Sequence, residues 1–598
     1  MLTSVSDVPV VPATHVLRDY ALLADGHRGV LVGPQGDCAW LCFPSWSDPA
    51  VFASLVGSGG HYLVQPPGRW VWGGYYEDGS LIWVSRWVTE HGIFESREAL
   101  SYPATADRAV LLRRVRALDT AGELLVALDP RADYGRASVG TWRRKDGHWE
   151  ARGQELTVRW WGGENAVSRL VDHHHRLELQ LELEAGAHHD FVLELTTGAA
   201  SKRGGFAAEA PDPDTCWRLT EEAWQAEVPE CKGILAAQDV RRSYAVLRGM
   251  TGPEGGTVAA ATTSLPERAE GNRNYDYRYV WIRDSCYVGR AGACIPGGEA
   301  MLDDAVRFVS GRLLADKDQL SPAYLPDGSP VPGELVLEDL PGYPGGTDVI
   351  GNHIRGQFQL DAFGEALLLL ALAASRGRLD APGWKAAAIA ADTIERRWGE
   401  ADSGIWELEP NFWTHSRLIC VAGLRALCEA PAGPGAEETA RYLALADTIL
   451  ACTAAEALRP SGAWQRACDD PRVDAALLLA ELRRAVPPGD PRSAATRQAV
   501  IDELTENGYV YRYAHPGSPL GEAEGAFLIC SFWLSLSCLA AGDAVGAARW
   551  FERARSGAGA PGLLAEEFDV VQHQLRGNLP QAFVHAALIE AAVAQSRP

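Results

Sequence analysis

Short apolar runs separated by turn residues fill the first third of the chain. The clearest run covers residues 176–184, where leucine alternates with charged or amide side chains. Because successive side chains of a strand point to opposite faces, this two-residue period predicts a strand with one buried face. Similar runs follow one another from Tyr20 to Thr197, with Gly, Pro and Asp between them. Residues 1–214 are therefore predicted to form an antiparallel β-sandwich.

The pattern changes to helical spacing after residues 208–216, whose three acids and two prolines predict a linker. Residues 215–240 are predicted to be a linker helix region, and residues 241–598 a helical domain. The helices are predicted at 217–228, 238–251, 300–315, 357–376, 384–398, 415–428, 437–458, 474–484, 526–541, 544–556 and 579–595. Helices of this number, joined by long Gly-, Trp- and Asp-rich loops, favour a double ring whose loops build a site at one end.

Composition excludes some classes of partner. The 598 residues carry a formal net charge of -23, which argues against nucleic acid and anionic lipid because both require basic patches. The N-terminal residues lack the basic and apolar regions of a secretory signal, and no later run is long enough to span a membrane. These features predict a cytoplasmic protein. The twelve cysteines are mostly isolated and are expected to be reduced thiols, with no metal site.

Residues 272–287 combine tyrosine, tryptophan, arginine and aspartate in one stretch. Aromatic rings stack on sugar rings, and Arg and Asp form directional hydrogen bonds with hydroxyls, so this composition suits a carbohydrate ligand. A buried Arg–Asp pair surrounded by aromatics is the alternative. Residues 172–175, Asp-His-His-His, are expected to lie in a solvated loop, since adjacent side chains rarely converge on one ion, and the same holds for His188 and His189.

Two further loops carry glutamates that suit sugar chemistry. Residues 403–409 include Glu407, and residues 564–569 include Glu566 and Glu567. Cleavage of a glycosidic bond requires one carboxylic acid to protonate the leaving oxygen and one carboxylate to activate water or attack the sugar. Two such loops on opposite sides of a helical ring meet this requirement.

The ordered series of these motifs resembles glycoside hydrolase family 15, the glucoamylase, trehalase and glucodextranase family, in its bacterial and archaeal form with an N-terminal β-domain. The resemblance covers nearly the whole chain. The motifs that carry it are Asp19-Tyr-Ala-Leu-Leu-Ala-Asp25, Asp37-Cys-Ala-Trp-Leu-Cys-Phe-Pro44, Asn274-Tyr-Asp-Tyr-Arg-Tyr-Val-Trp-Ile-Arg-Asp284, Gly351-Asn352, Gln357-Phe-Gln-Leu-Asp-Ala-Phe-Gly-Glu365, Gly404-Ile-Trp-Glu407, Thr414-His-Ser416, Glu524-Gly-Ala-Phe527, Glu566-Glu-Phe-Asp569 and Gly577-Asn-Leu-Pro-Gln-Ala-Phe583.

The resemblance implies a β-sandwich followed by an (α/α)6 barrel, and an inverting hydrolase that releases glucose from the non-reducing end of an α-glucoside. Glu407 matches the general acid of the family, and its neighbour Trp406 is expected to help keep it protonated. Glu566 matches the base, with Glu567 as its rival. Arg283 and Asp284 match the pair that grips the terminal sugar.

The remaining candidates for sugar contact are Trp281, Tyr277, His415, Gln359, Asp361, Glu524 and Trp533. Each has a structural alternative. Asp361 and Glu365 are four residues apart and suit a capping and surface pair on a helix. His415 suits a hydrogen-bonded structural role, and Trp533 suits the core. Tyr275 and Tyr279 are expected to pack inside the protein.

One loop departs from the family pattern. Relatives commonly carry two arginines in a Gly-Tyr-x-Gly-Ser-Arg-Pro-Val-Arg-like run, whereas residues 342–350 here read Gly-Tyr-Pro-Gly-Gly-Thr-Asp-Val-Ile. If this loop contacts the leaving sugar, the change affects the choice among trehalose, maltose and isomaltose. The insert at residues 320–339 adjoins the same loop.

Two alternative functions remain open at this stage. An inverting disaccharide phosphorylase shares this architecture but uses phosphate in place of a base, and the presence of Glu566 opposes it. A non-catalytic carbohydrate-binding protein is opposed by the retention of both carboxylates. The expected partner is a small carbohydrate, with no cofactor; homo-oligomerisation is left open.

Overall fold

The computed structural model describes residues 12–145, 147–153, 155–171, 173–198, 211–269, 271 and 273–597. Asp172, Asn272 and residues 208–210, which belong to the motifs and the linker named above, lie outside the described residues.

The N-terminal part of the described chain consists of strands. They are β1 (Ala21–Ala24), β2 (Gly29–Val32), β3 (Asp37–Cys42), β4 (Ala50–Phe52), β5 (His61–Gln65), β6 (Trp70–Tyr76), β7 (Trp83–Thr89), β8 (Ile93–Leu100), β9 (Arg108–Ala117), β10 (Gly122–Asp129), β11 (Arg131–Ala132), β12 (Ala137–Ser138), β13 (Arg143–Lys145), β14 (His148–Arg152), β15 (Leu156–Trp161), β16 (Val167–Val171), β17 (His174–Leu183) and β18 (His188–Thr197).

Two antiparallel sheets pack face to face. One runs β1-β2-β3-β5-β10-β17-β16, with β4 paired to β3, and the other runs β13-β14-β15-β18-β9-β8-β7-β6. Between them the Trp160 indole donates to the Tyr62 hydroxyl at 3.1 Å, and Arg113 forms a fully buried ion pair with Glu98. The predicted sandwich is confirmed. The predicted histidine loops are wrong, because His174 and His188 each begin a long strand.

The rest of the described chain is mainly helical. The helices are α1 (Pro213–Glu227), α2 (Ala237–Gly249), α3 (Ile282–Cys294), α4 (Glu299–Asp316), α5 (Leu360–Ser375), α6 (Ala381–Arg397), α7 (Thr414–Glu429), α8 (Ala436–Glu456), α9 (Leu479–Leu482, continuing the 3-10 turn Ala475–Leu478), α10 (Pro491–Glu503), α11 (Leu528–Ala540), α12 (Ala544–Arg555) and α13 (Ala582–Gln595). Short strand pairs in the loops are β19 (Val280–Trp281), β20 (Ala323–Tyr324), β21 (Leu335–Val336), β22 (Val349–Ile350), β23 (Thr505–Glu506), β24 (Tyr509–Val510), β25 (Ala526–Phe527), β26 (Glu567–Asp569) and β27 (Gln574–Arg576).

Helices α2 to α13 form two concentric rings. The odd-numbered helices from α3 to α13 are buried over most of their length, and the even-numbered ones bury a single face. Each inner helix packs against the next, and α13 packs against α3, which closes the ring. An inner ring of six and an outer ring of six, within the described residues, make the expected (α/α)6 barrel.

Two helices and one linker differ from prediction. Helices α3 and α10 were not predicted, because α3 opens with the polar residues Arg283 and Asp284, and α10 is polar over most of its surface. In the linker, α1 already begins at Pro213, where Asp212 caps it by accepting from the Thr215 N–H. The domain limits at residues 214 and 240 stay a prediction.

Two observations concern the environment of the protein. None of the helices in the described part of the chain has the length and apolar character that crossing a bilayer demands. The twelve cysteines, all of them described, form no disulfide. A cytoplasmic location stays a prediction.

Candidate active site

A cavity opens where the inner helices begin. Helices α3, α11 and α13 supply part of the wall, and the segments before inner helices supply the remainder. The residues that line it are Ala259, Tyr277, Trp281, Arg283, Asp284, Tyr287, Ile405, Trp406, Glu407, Arg512, Ile529, Trp533, Glu566, Gln581 and Phe583. Acids, two guanidinium groups and aromatic rings therefore converge on one small volume.

Glu407 lies on the loop before α7. Its backbone has a φ of 57°, in the left-handed region that non-glycine residues rarely adopt. The Trp281 indole N–H donates to Oε1 of Glu407 at 2.6 Å, and Nη1 of Arg283 lies 3.8 Å from the same oxygen. Both contacts hold one oxygen of the carboxyl, so its orientation in the cavity is fixed.

Glu566 also lines the cavity and lies just before β26. The Tyr277 hydroxyl donates to its Oε2 at 3.2 Å. Burial, reinforced by the nearby Glu267 carboxyl, raises the pKa of Glu566 well above its ordinary value of 4.5, although Arg512 acts in the opposite direction. This carboxyl consequently takes up a proton more readily than an exposed glutamate.

Arg283 and Asp284 form a buried pair at the start of α3. Nε of Arg283 donates to Oδ1 of Asp284 at 2.9 Å, and Nη1 donates to the Ile405 carbonyl at 2.7 Å. Oδ2 of Asp284 has no partner within the described residues. Burial raises the pKa of Asp284, and Arg283 opposes this shift. The pair thus presents one free acceptor oxygen and a guanidinium with further donors to a ligand.

The Trp406 ring forms part of the cavity wall, and a hydrogen bond to Asp474 fixes its orientation. Its indole N–H donates to both carboxylate oxygens of Asp474, at 3.0 and 2.9 Å. His415 lies in a smaller cavity on the far side of Trp406 and is absent from the cleft lining. Neither ring nitrogen of His415 has a partner among the described residues, and burial lowers its pKa to about 3.

Gln359 and Asp361 lie at the start of α5, and neither lines the cleft. Gln359 occupies the N-cap position, and Asp361 is in the first turn. Asp361 and Glu365 are both fully buried, so the expectation of a capping and surface pair is wrong. The carboxyl of Asp361 has no hydrogen-bond partner in the described structure, and burial raises its pKa to about 8.

Glu524 and Glu567 face the protein interior. Arg512 donates to Glu524 at 2.6 Å, and His515 lies 3.0 Å from it. Burial opposes ionisation of Glu524, but Arg512 and His515 lower its pKa to about 2. Glu567 accepts the Gly525 N–H at 2.7 Å, and burial raises its pKa. Of the two adjacent glutamates, only Glu566 reaches the cleft wall.

The sequence motifs did not single out Arg512, Gln581, Phe583 or Glu267. Gln581 and Phe583 stand inside a quoted motif, and Arg512 lies between two tyrosines, so a local signal existed for these three. Trp533, expected in the core, contributes to the cleft wall. Glu267 carried no local signal, because its neighbours in space come from distant parts of the chain.

One group of carboxyls has the spacing of a cation site. One oxygen from each of Glu267, Glu566 and Glu567 lies within 4.8 Å of the others. These side chains already receive protein donors: Arg273 donates to Glu267 at 2.7 Å, and Tyr277 and the Gly525 N–H serve the other two. The cluster is therefore organised by hydrogen bonds from the chain itself.

A closed ring of paired helices, with a polar cavity at its mouth and two glutamates on the cavity wall, is the arrangement of a glycoside hydrolase. The chain belongs to glycosyl hydrolases family 15, whose family model matches residues 240–593. A second family model, described as trehalase-like, N-terminal, matches residues 12–210.

Relatives and solved structures agree with this assignment. The chain is 33% identical to the trehalase of Mycobacterium tuberculosis, over 96% of this chain and 89% of the relative. It is 28% identical to the isomaltose glucohydrolase of Kribbella flavida, over 56% of this chain and 83% of the relative. A bacterial glucoamylase solved in complex with acarbose shares the fold, with a TM-score of 0.70 at 14% identity over 99% of this chain and 97% of the glucoamylase.

Proposed function

We propose that this glycoside hydrolase is exo-acting and inverting, and that it releases β-glucose from the non-reducing end of an α-linked glucoside. The observation that carries the proposal is the position of Glu407 and Glu566 on the wall of one cavity, each oriented by an aromatic donor. Inversion requires an acid and a base on opposite sides of the bond, with room for a water molecule between base and sugar.

Glu407 acts as the general acid. Its Oε1 accepts from Trp281, so Oε2 is the oxygen that carries the proton to the leaving glycosidic oxygen. Glu566 acts as the base and takes a proton from the water that attacks the anomeric carbon. Because the pKa of Glu566 is raised, the rate falls as the pH drops through this raised value, and the acidic limb lies well above pH 4.5.

Arg283 and Asp284 hold the terminal glucose. The free Oδ2 of Asp284 accepts from a sugar hydroxyl, and the Arg283 guanidinium donates to another. Trp281, Tyr277 and Trp406 shape the apolar side of the same subsite. Five other candidate residues do not line the cavity and support the sugar-contacting groups from the protein interior. They are Gln359, Asp361, His415, Glu524 and Glu567.

Trehalose is the proposed first substrate. Support comes from the M. tuberculosis relative and from a trehalase of Mycolicibacterium smegmatis that is 33% identical over 96% of this chain and 91% of its own length. Thr347 and Ile350 occupy the positions of the two arginines of the family-like loop, so the leaving sugar meets a less basic surface here.

The test measures glucose release from trehalose, maltose and isomaltose, and follows the product anomer by proton NMR. We expect β-glucose first. Glu407→Gln and Glu566→Gln should each lower the rate by about 100- to 10,000-fold. The control Glu409→Gln, at an exposed site two residues from Glu407, should leave the rate unchanged. Initial α-glucose, or glucose 1-phosphate formed only with phosphate, would contradict the proposal.

A further inference from the structure

Glu267 is a buried carboxyl directly behind the cleft. It belongs to the segment between α2 and β19, and its side chain is 3% exposed. The Tyr277 hydroxyl lies 3.4 Å from Oε1 of Glu267 and 3.2 Å from Oε2 of Glu566. Because a phenol has one hydrogen to donate, the two carboxyls compete for the same hydrogen bond.

Glu566 is surrounded by charged and hydrogen-bonding groups from several elements. These groups are Glu267, Glu567, Arg283, Arg512 and the Tyr277 hydroxyl. Arg512 is already held by Glu524 at 2.6 Å, and Arg273 is bound to Glu267 at 2.7 Å. The positive charges near Glu566 are thus shared with other carboxylates, and the Glu267 carboxylate, although bound to Arg273, raises the pKa of Glu566.

We propose that Glu267 is a positioning residue, which sets both the charge environment of Glu566 and the direction of the Tyr277 hydroxyl that orients it. The inference rests on the proposed role of Glu566 as the base. Glu267 keeps the carboxyl of Glu566 basic enough to accept a proton from water, since a neighbouring negative charge favours the protonated state.

Removal of the Glu267 charge has three consequences with the same sign. Glu566 loses a negative neighbour, Tyr277 meets a neutral amide oxygen as a weaker competing acceptor, and Arg273 loses its closest carboxylate partner. Each effect favours the ionised form of Glu566. The acidic limb of the pH–rate profile should consequently move to lower pH in Glu267→Gln, by about one pH unit.

The experiment measures kcat/KM against pH for Glu267→Gln, Glu267→Asp and the unsubstituted full chain, with α-glucosyl fluoride as substrate. Fluoride leaves without protonation, so the acidic limb reports the base alone. Glu267→Asp keeps the charge, and its limb should stay near that of the parent. A purely structural role predicts the reverse order, because glutamine preserves the shape of the side chain and aspartate does not.

Folding is checked by thermal unfolding and tryptophan fluorescence. An acidic limb that stays in place or moves to higher pH in folded Glu267→Gln would overturn the inference. Loss of all turnover in that folded variant would also overturn it, because Glu267 would then serve the chemistry directly. The inference would also be overturned if the activity of the parent depends on Mg²⁺ and that of Glu267→Gln does not, because the three carboxyls would then hold a cation.

Failure of the proposed function would be recognised separately. If Glu566→Gln keeps the parent rate on trehalose and on α-glucosyl fluoride, the assignment of the base is wrong. If Glu566→Gln is inactive while the profile of Glu267→Gln is unshifted, the base assignment stands and only the role of Glu267 fails.

Discussion

Asp361 is a carboxyl that the folded protein keeps neutral. It is fully buried, and burial raises its pKa to about 8, with Asp402 acting in the same direction and Arg283 against it. The native chain therefore holds this proton up to about pH 8, whereas the unfolded chain releases it near pH 3.8. Between these values the native state binds more protons, so stability falls as the pH rises.

Asp361→Asn should make the pH dependence of stability shallower. One proton corresponds to about 1.4 kcal/mol of unfolding free energy per pH unit, which is the largest slope that the substitution can remove between pH 5 and 8. The measurement is urea unfolding at pH 5, 6, 7 and 8. Asp502→Asn, at an exposed helical site, serves as control and should keep the parent slope. Equal slopes in both variants would show that Asp361 does not hold the proton.

At the residue scale, sequence motifs identify candidate residues better than they predict the direction in which each side chain points. All four residues that the motifs favour most, Glu407, Glu566, Arg283 and Asp284, line the cleft, and their roles stay a prediction. Glu524 stands in an equally clear motif but faces the interior, because side-chain direction depends on packing that no local pattern encodes. Residues such as Glu267 need the fold before they can be found.

Helices α5 and α7 approach each other through two glycines. A Cβ on Gly364 would lie 2.7 Å from the backbone carbonyl of Ile419, and one on Gly423 would lie 2.6 Å from the Gly364 carbonyl. Real Cβ atoms do not tolerate such distances, so these glycines permit the close contact of two inner helices. The loop of Glu407 leads directly into α7, so this contact also fixes the position of the proposed acid.

Gly364→Ala should destabilise the protein, by about 1–3 kcal/mol, because the helices must separate or their side chains must shift. Gly311→Ala in α4 is the matched control, since a Cβ there meets nothing within 4 Å. The control should raise stability by about 0.5–1 kcal/mol through the higher helix propensity of alanine. Urea unfolding of both variants measures the difference. Equal effects would mean that the inner helices adjust freely.

At the element scale, helices were predicted well where the apolar period was regular and a Gly or Pro followed. Helix α3 escaped prediction because its first turn is part of the aromatic and charged stretch that also serves the cleft. Because this segment both forms a helix and lines the cleft, its sequence shows neither a regular helical period nor the composition of an ordinary loop. The exact helix ends depend on capping contacts, such as Asp212 with Thr215.

The two domains are joined by a buried guanidinium. Arg278 donates to the Asp48 carbonyl at 3.0 Å and to the Tyr134 hydroxyl at 3.1 Å, both in the sandwich. It also pairs with Asp276 at 2.7 Å. In the same extended segment, Tyr277 and Trp281 face the cleft. The sandwich therefore holds one side of the extended segment whose other side lines the cleft.

Arg278→Ala should lower both stability and activity, since it leaves Asp276 as a buried carboxylate without its cation. Removal of one partner of a buried pair costs about 3–5 kcal/mol. Arg136→Ala is the control, because Arg136 reaches Asp339 across the surface at 3.4 Å and such exposed pairs contribute little. Thermal unfolding and kcat/KM on trehalose give the two readouts. A stable variant with parent activity would show that the sandwich does not position the cleft.

At the scale of the whole molecule, the order of strands followed by helices was enough to predict a sandwich and a helical ring. Ring closure and the contact between domains were not predictable from periodicity. They depend on single side chains, such as Arg278, and on residues without side chains, such as Gly364, whose partners lie far away in the chain.

The closing helix also sets the order in which the protein can become active during synthesis. The last sandwich strand ends at Thr197, so that domain can fold while the ribosome is still translating the barrel. Helix α13 joins α3 and α11, and Phe583 on it forms part of the cleft. A nascent chain that stops before Ala582 carries both glutamates but no enclosed site. We therefore expect sugar cleavage to begin only after α13 has left the ribosome.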